Sequence, residues 1–232
     1  MTITKSTARK VVAAITALLF FLSLASAPAA YAADPSVKVL DSANSITDPN
    51  WFVKAYQAGF RLYVMHSTAW GTCNTWSRTQ TQLKMALDAG LKIAVYTRDP
   101  NCWRGGINAA GPYARQLQFF ALDAETGGPQ ITRAMVDGVR RMGIRPVIYS
   151  GSGMWPQLMN NSTAFSDVPL WDTNTGNINY NSWRANYLSP TPVQYGGWNT
   201  PTTMRIGVQQ KFNQSLNGVV VDLDSFNATF LK

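Results

Sequence analysis

The sequence predicts an α/β fold, an irregular (β/α) barrel with a parallel first half and antiparallel strands near the C-terminus. One observation is a repeated unit in which a helix end leads through a glycine into a strand. A second is a hairpin signal late in the chain. Strands that alternate with helices predict a parallel sheet, either doubly wound or closed into a barrel. An antiparallel ending with few late helices favours the irregular barrel.

The repeated unit consists of a glycine, an apolar residue, a basic residue, an apolar strand and a polar loop. We expect each glycine to adopt the left-handed conformation that ends a helix and returns the chain along the sheet. The copies are AGFRLYVMHST at residues 58–68, AGLKIAVYTRD at 89–99 and MGIRPVIYSGS at 142–152.

The first strand is predicted at residues 37–40, directly before Asp41. Asp48 and Pro49 then form the pattern of a helix N-cap followed by proline at the first helical position. This helix ends before Gly59, where the next strand segment begins. Apolar periodicity predicts two further helices, at residues 76–89 and 129–142.

The second half of the chain is less regular. Residues 169–171 are predicted to form a strand, and the asparagine-rich sequence after them is interpreted as a loop. Strands at residues 204–212 and 219–223 are joined through Asn217-Gly218, a typical hairpin signal. Because no linker or low-complexity tract interrupts the chain, residues 33–232 are interpreted as one domain.

Residues 1–32 are predicted to be a secretory signal peptide. A basic segment precedes an apolar run at residues 11–24, and Ala30-Tyr31-Ala32 matches an A-x-A cleavage site. The apolar run is short for a membrane span, and the sequence contains no second long one. We therefore expect a secreted, extracellular monomer that has no membrane contact after cleavage near Ala32.

The formal net charge of +8 includes three basic residues of the predicted signal peptide. Without them, 17 basic and 12 acidic residues remain, a net charge of +5. Such an excess can attract a secreted protein to anionic polymers. Because the lysines and arginines are scattered, we predict no nucleic-acid binding. No cofactor is predicted.

Cys73 and Cys102 are the two cysteines of the chain, and His66 is its one histidine. In a secreted protein such a pair more often forms a disulfide than a metal site, and no spacing here indicates zinc. A bridge would stiffen two neighbouring loops at the carboxyl edge of the sheet. A catalytic cysteine paired with His66 is the alternative, although an oxidising compartment disfavours it.

The sequence FFALDAETGG at residues 119–128 is the centre of the candidate site. If it begins as a strand, Asp123 and Glu125 point to the same side where the apolar run stops. Paired carboxylates can cleave glycosidic bonds when one is protonated and the other ionised. The same pattern also occurs where two solvated acids precede a helix N-terminus.

Functional groups of parallel α/β folds gather beyond the carboxyl ends of the strands. The acids expected at this edge are Asp41, Asp123, Glu125, Asp222 and Asp224, and the tryptophans are Trp70, Trp103, Trp155 and Trp171. Acids between flat aromatic rings suit a sugar-cleaving cleft, although each tryptophan taken alone could be packing. Tyr96 and Tyr149 occupy equivalent positions in two repeats and either pack in the core or bind a substrate hydroxyl.

Five segments, from about residue 37 to residue 230, carry a family resemblance. They are Asp41 after the first strand, LDAE at 122–125, IYSG at 148–151, PLW at 169–171 and GVVVDLDSF at 218–226. Together they resemble the glycoside hydrolase family 25 lysozymes, which are N-acetylmuramidases related to the Chalaropsis-type lysozyme. The DxE strand and the terminal VDL-x-x-F are the most specific of these segments.

The resemblance implies a barrel of the TIM-barrel type that hydrolyses the β-1,4 bond between N-acetylmuramic acid and N-acetylglucosamine. Glu125 matches the general acid and Asp123 its partner carboxylate, while Asp41 and Asp222 match acids on the first and last strands. The candidate substrate-binding residues are Trp70, Trp103, Tyr96, Tyr149 and Trp171. Segments 66–70 and 172–174 depart from the family pattern, so the expected substrate is peptidoglycan or a related amino-sugar polymer.

Three functions are compatible with these residues. The favoured one is a secreted glycoside hydrolase, because four acids lie on one predicted face and the motifs follow the family order. The second is a non-catalytic polysaccharide-binding barrel of the cell wall that retains the cleft. The third, supported by net charge alone, is a secreted effector or wall-associated structural protein.

Overall fold

A computed structural model describes residues 36–173, 193–198 and 205–231. Eight strands form a closed barrel in which each strand pairs with the next and the last pairs with the first. The strands are β1 (Ser36–Ser42), β2 (Phe60–His66), β3 (Lys92–Thr97), β4 (Leu117–Asp123), β5 (Pro146–Gly151), β6 (Leu170–Thr173), β7 (Arg205–Leu216) and β8 (Val219–Asn227).

Helices connect the strands of the first half. The α-helices of the described residues are α1 (Pro49–Gln57), α2 (Thr79–Asp88), α3 (Trp103–Ala109), α4 (Arg133–Arg141) and α5 (Trp155–Met159). Short 3₁₀ helices lie at Pro100–Cys102, Gly111–Gln116 and Ala228–Phe230. Within these described segments, none of the helices has the length and apolar character needed to cross a membrane.

The strand directions confirm the predicted irregular α/β barrel and exclude the doubly wound alternative. Strands β1 to β7 run parallel in sequence order. Strand β8 is antiparallel to both of its neighbours, β7 and β1, and closes the barrel. The antiparallel part is therefore a single strand inserted between two parallel ones.

Local sequence signals account for many of the element boundaries. The Asp48 carboxylate accepts a hydrogen bond from the Asn50 N–H and caps α1, which begins at Pro49 as predicted. Gly59, Gly90 and Gly143 all have positive φ, which confirms the role predicted for the glycine of the repeated unit. Helices α2 and α4 begin three and four residues later than expected, and α3 was not predicted.

Alternate strand residues divide the core into two layers. Leu40, Val95, Phe120 and Ile148 belong to the large cluster that also contains helix residues, so they face the helices. Their neighbours Val39, Ala94, Ala121 and Val147 belong to a second cluster, drawn mainly from the strands, that fills the barrel. The next inward position along these strands is two residues further on, because strand side chains alternate between faces. Those positions are Asp41, Tyr96, Asp123 and Tyr149.

The hairpin of β7 and β8 forms as predicted through Asn217 and Gly218, both of which have positive φ. Its strands are longer than expected, so Asp222 and Asp224 lie within β8 rather than after a strand. Because β8 is antiparallel, its early residues lie near the carboxyl ends of the other strands. The Trp51 indole N–H donates to the Leu216 carbonyl at 2.8 Å and anchors the hairpin to α1.

The asparagine-rich segment interpreted as a loop, residues 174–186, lies outside the described residues, as does Met204 at the predicted start of β7.

Candidate active site at the carboxyl ends of the strands

A cavity of about 250 Å³ lies at the carboxyl ends of the parallel strands. It is lined by Asp41, Ala43, Trp70, Tyr96, Arg98, Asp123, Glu125, Tyr149, Trp171, Gln209, Phe212 and Asp222. The fold therefore brings together all four acids predicted as catalytic and four of the five aromatics predicted to bind substrate.

Asp123 and Glu125 share one cationic neighbour but differ in burial. Arg98 Nη1 lies 3.5 Å from Asp123 Oδ1 and forms a closer ion pair with Glu125 Oε2. The Asp123 side chain is 4% exposed and the Glu125 side chain 24% exposed. One carboxyl group of the pair is thus enclosed, while the other reaches the open part of the cavity.

Burial raises the pKa of Asp123 from 3.8 to about 8, and the positive charge of Arg98 opposes this shift only in part. An ionised carboxylate loses its hydration when it is enclosed, so the neutral acid is favoured. Asp123 therefore carries a proton over most of the neutral pH range. This is the state required of a carboxyl group that donates a proton or a hydrogen bond.

Gln209 of β7 connects the two acids on the opposite side of the cavity. Its Nε2 donates to Asp41 Oδ2 at 3.2 Å and to Asp222 Oδ2 at 3.0 Å. Its Oε1 accepts a hydrogen bond from the Tyr149 hydroxyl. Asp41 and Asp222 are also direct cross-strand partners in the ladder of β1 and β8. The amide thus holds two carboxyl groups and one phenol in a fixed arrangement.

The carboxyl groups of β1 and β8 lie so close together that the negative charge of one makes ionisation of its neighbour less favourable. Burial, followed by the charge of Asp222, raises the pKa of Asp41 to about 8. Burial and the nearby Asp41 also raise the pKa of Asp224, which accepts a hydrogen bond from Trp171 Nε1 at 2.9 Å. Burial raises the pKa of Asp222, although hydrogen bonds from Asn213 and Gln209 favour its ionised form.

The aromatic residues of the cavity fall into an exposed rim and a buried floor. Trp70 is 69% exposed and Phe212 is 38% exposed, so both rings offer accessible surface. Tyr149 and Trp171 are buried, and their rings pack edge to face with centroids 4.7 Å apart. His66 packs between Trp70 and Tyr96, and burial lowers its pKa.

Two predicted aromatics lie elsewhere. Trp103 begins α3, and its ring lies against Gly138 of α4, where a Cβ would come within 2.4 Å of it. Trp155 is fully buried among Phe165 and Trp198. The residues that line the cavity include neither tryptophan, because the chain turns into helices after β3 and β5 and carries both rings into the outer layer.

Sequence reasoning missed Arg98, Gln209 and Phe212 as cavity residues. The signal for Arg98 was strand alternation, since it follows Ala94 and Tyr96 at steps of two on the inward face. Gln209 and Phe212 lie in β7, where register shifts interrupt the pairing with β8. A simple alternation pattern does not identify which β7 residues face inward.

The disulfide between Cys73 and Cys102 forms as predicted. Cys73 belongs to the loop after β2, which carries Trp70, and Cys102 ends the turn after β3, which carries Arg98. An isolated antiparallel β-bridge, formed by the backbones of Thr68 and Thr75, also closes the first of these loops. One covalent link therefore connects two loops that supply cavity residues.

Within residues 36–173, 193–198 and 205–231, no group of three or more His, Cys, Asp or Glu side chains is arranged to hold a metal ion. The four carboxyl groups of the cavity contact Gln209 on one side and Arg98 on the other.

The fold and the cavity define a closed β/α barrel with a carboxylate-lined cavity at its strand ends. Its fold is similar to that of a muramidase from Trichobolus zukalii, with a TM-score of 0.52 and 20% identity over 83% of this chain and 94% of that one. It is also similar to the Clostridium perfringens spore cortex lytic enzyme SleM, with a TM-score of 0.54 and 17% identity over 84% and 69% of the two chains. At these identities the likeness is one of fold.

A sequence relative is counting factor 50 of Dictyostelium discoideum, which is 29% identical over 106 residues. The match covers 45% of this chain and 31% of the relative, so the chain matches less than a third of that protein. No family model matches the chain.

Proposed function

We propose that the protein is a secreted glycoside hydrolase that cleaves β-1,4 bonds in peptidoglycan or a related amino-sugar polymer. The observation that carries this proposal is the pair Asp123 and Glu125, which line one cavity in unlike environments. Glycoside hydrolysis uses two carboxyl groups that differ in protonation. The fold shared with a muramidase and a spore cortex lytic enzyme supports an amino-sugar polymer as the substrate.

In this proposal Glu125 is the general acid and Asp123 its partner carboxyl group. Glu125, the more exposed of the two, can reach a glycosidic oxygen that enters the cavity. Because a general acid must carry a proton, its ion pair with Arg98 has to loosen when substrate binds. Asp41 and Asp222 act from the opposite side, where Gln209 fixes their positions.

The exposed ring of Trp70 is proposed to stack on a sugar ring, since flat aromatic faces suit that contact. Tyr96, Tyr149 and Trp171 are proposed to shape the floor of the substrate site. The Trp171 indole N–H is already bonded to Asp224, so its contribution is shape rather than hydrogen bonding.

The test is the release of reducing ends from purified peptidoglycan and from chitin by the wild type and by Glu125→Gln. Loss of the proton donor is expected to lower the rate by at least roughly 10²–10⁴-fold. Asp137→Asn is the matched control, because it also replaces an acid by an amide but lies on the exposed side of α4. Wild-type activity in Glu125→Gln would remove Glu125 as the general acid.

A non-catalytic polysaccharide-binding barrel of the cell wall is the second candidate. The observation that favours it is the ion pair with Arg98, which already occupies Glu125 in the free protein. Retention on insoluble peptidoglycan without release of reducing ends, unchanged by Glu125→Gln, would support this candidate and contradict the hydrolase.

A further inference from the structure

We propose that Asp224 is a positioning residue for Asp41: the two carboxyl groups share a hydrogen bond in which Asp224 keeps its proton when Asp41 ionises. The residues that line the cavity include Asp41 but not Asp224, so Asp224 acts through Asp41 and not on the substrate. The part that Asp41 takes in hydrolysis rests on the proposed function, whereas the order in which the two groups lose their protons does not.

Asp224 is enclosed by the barrel, with 0% of its surface exposed. Its ladder partners are Val39 of β1 and Gln209 of β7. Asp41 lies two residues after Val39, on the same inward face, and is therefore the diagonal neighbour of Asp224. The side chains of Asp41 and Asp224 are hydrogen-bonded to each other.

A hydrogen bond between two carboxyl groups requires a proton, because an ionised carboxylate is an acceptor only. The Trp171 indole N–H donates to Asp224 Oδ1 at 2.9 Å. Both hydrogens of Gln209 Nε2 are used by Asp41 and Asp222. Within the described residues, no N–H or hydroxyl group donates to the buried Oδ2 of Asp224. A proton on Asp224 avoids a buried charge without a donor and supplies the donor for Asp41.

Asp224 is the member of the pair that keeps the proton, because Asp41 has more support for a negative charge. Asp41 lines the cavity and accepts a hydrogen bond from Gln209, whereas Asp224 is wholly enclosed. Burial raises the pKa of both groups, and the hydrogen bond between them lowers the pKa of Asp41 while it raises that of Asp224.

The other ionisable groups near the pair do not support a second negative charge. The charges of Asp222 and Asp123 raise the pKa of Asp41, and the charge of Asp222 also raises that of Asp224. Arg98, the one cation among the described residues that line the cavity, is paired with the two acids on the other side. The phenols influenced by Asp41 stay neutral because burial raises their pKa, and they are Tyr63, Tyr96 and Tyr149.

An ionised carboxylate opposite the general acid is useful to the proposed hydrolase, because the transition state of glycoside hydrolysis resembles an oxocarbenium ion. Asp123 does not meet this need, since burial favours its neutral form. By donating a hydrogen bond to Asp41, Asp224 increases the ionised fraction of Asp41 and fixes the orientation of its carboxylate.

The test is carbon-13 NMR of the aspartate carboxyl groups across a pH series, which reports the protonation of each group without substrate. We expect Asp41 to titrate near pH 8 and Asp224 to titrate at a higher pH. Asp224→Leu, which removes the donor, should raise the pKa of Asp41 by about one unit, the effect of one hydrogen bond to a charged group. Asp224→Asn should keep the pKa of Asp41 close to its wild-type value, because an amide can accept from Trp171 and donate to Asp41.

Release of reducing ends from peptidoglycan measures the consequence for the site. A rise of one pKa unit lowers the ionised fraction of Asp41 about tenfold at pH values below its pKa, so Asp224→Leu should lose about that factor in rate. The loss should shrink as the pH rises, and Asp224→Asn should restore most of the rate. Asp137→Asn is the matched control, because it makes the same change on the exposed side of α4.

Ionisation of Asp224 before Asp41 would overturn its role, as would the same pKa of Asp41 in the wild type and in Asp224→Leu. An Asp224→Asn protein in which the pKa of Asp41 rises as in Asp224→Leu would also overturn it. If Asp224→Leu does not fold, the order of the two titrations in the wild type decides. The hydrolase proposal can fail separately: the expected order of titration without release of reducing ends by the wild type would leave the pair intact in a binding barrel.

Discussion

For a single carboxyl group of the cavity, depth on the inward face decides whether the neutral form is favoured or the group forms an ion pair. Asp123 ends β4 on the inward face and is enclosed, whereas Glu125 lies two residues beyond the strand and reaches Arg98. Two residues of sequence thus separate an acid whose neutral form is favoured from one held in an ion pair. The DxE spacing keeps both on the same side while placing them at different depths.

The raised pKa of Asp123 predicts how stability depends on pH. Between about pH 4 and pH 8 the unfolded chain ionises this group while the folded protein keeps its proton, so the unfolded state binds fewer protons. The free energy of unfolding should therefore fall as the pH rises, by up to about 1.4 kcal/mol per pH unit for each such group. Asp123→Asn should reduce this slope in urea unfolding series measured across that pH range.

Asp41 should contribute a slope of the same sign, since its pKa is also raised to about 8. Asp137→Asn, which changes an acid on the exposed side of α4 away from the cavity, serves as the comparison. A slope that is the same in the wild type and in Asp123→Asn would show that the folded Asp123 is not protonated in this range.

Sequence alone predicted the acids of the site better than the residues that hold them. Asp41, Asp123 and Glu125 follow recognisable apolar strands, and strand ends of a parallel sheet meet at one edge. Gln209 contacts Asp41 across 168 residues of sequence, and only closure of the barrel makes them neighbours. An amide in an irregular strand carries no local signal of such a contact.

Among the elements, the loop after β2 and the turn after β3 are joined both by the disulfide and by close packing against α3. Gly105 of α3 lies so close to this region that a Cβ there would come within 2.4 Å of the Cys73 carbonyl oxygen. Gly106 is equally close to Thr97. These contacts explain why α3 was not predicted: two adjacent glycines disfavour a helix locally, while close packing requires them.

Removal of the disulfide in Cys73→Ala/Cys102→Ala is expected to lower the free energy of unfolding by about 3–4 kcal/mol. The reason is that the bridge closes a loop with a sequence separation of 29 residues and restricts the unfolded chain. Urea unfolding of the double variant and of the oxidised wild type measures the difference. Equal stability of the two would mean that strain or residual structure cancels the effect.

For the molecule as a whole, the barrel was predictable because β2, β3 and β5 repeat one pattern and helices alternate with the strands around them. The last part lacks that pattern, and β8, inserted antiparallel between β7 and β1, reverses the end of the strand that faces the cavity. The expectation that Asp222 and Asp224 come after the last strand was wrong, because β8 continues to Asn227 and contains both residues. Asp222 nevertheless lines the cavity, because the early part of antiparallel β8 lies beside the carboxyl end of β1.

The signal peptide proposed at residues 1–32 makes a prediction that can be tested on the full chain. When the full chain is produced in a secreting host, we expect the mature form to begin at Ala33, within about two residues. Mass spectrometry of the secreted protein gives this end directly. Ala32→Arg should block cleavage, because the site requires a small residue, and a mature protein that retains residues 1–32 would contradict the signal-peptide interpretation.

The pairing of β1 with β8 also determines where the protein can be attached to a support or fused to another chain. Ser36 and Asn227 are ladder partners at the end of the barrel opposite the cavity. A tag, a linker or a solid support joined at either position would leave the mouth of the cavity pointing away from the attachment. The same proximity suits circular permutation, with a peptide joining Ser36 to the residues that follow the 3₁₀ helix at Ala228–Phe230 and new ends opened between Asn217 and Gly218 at the hairpin tip.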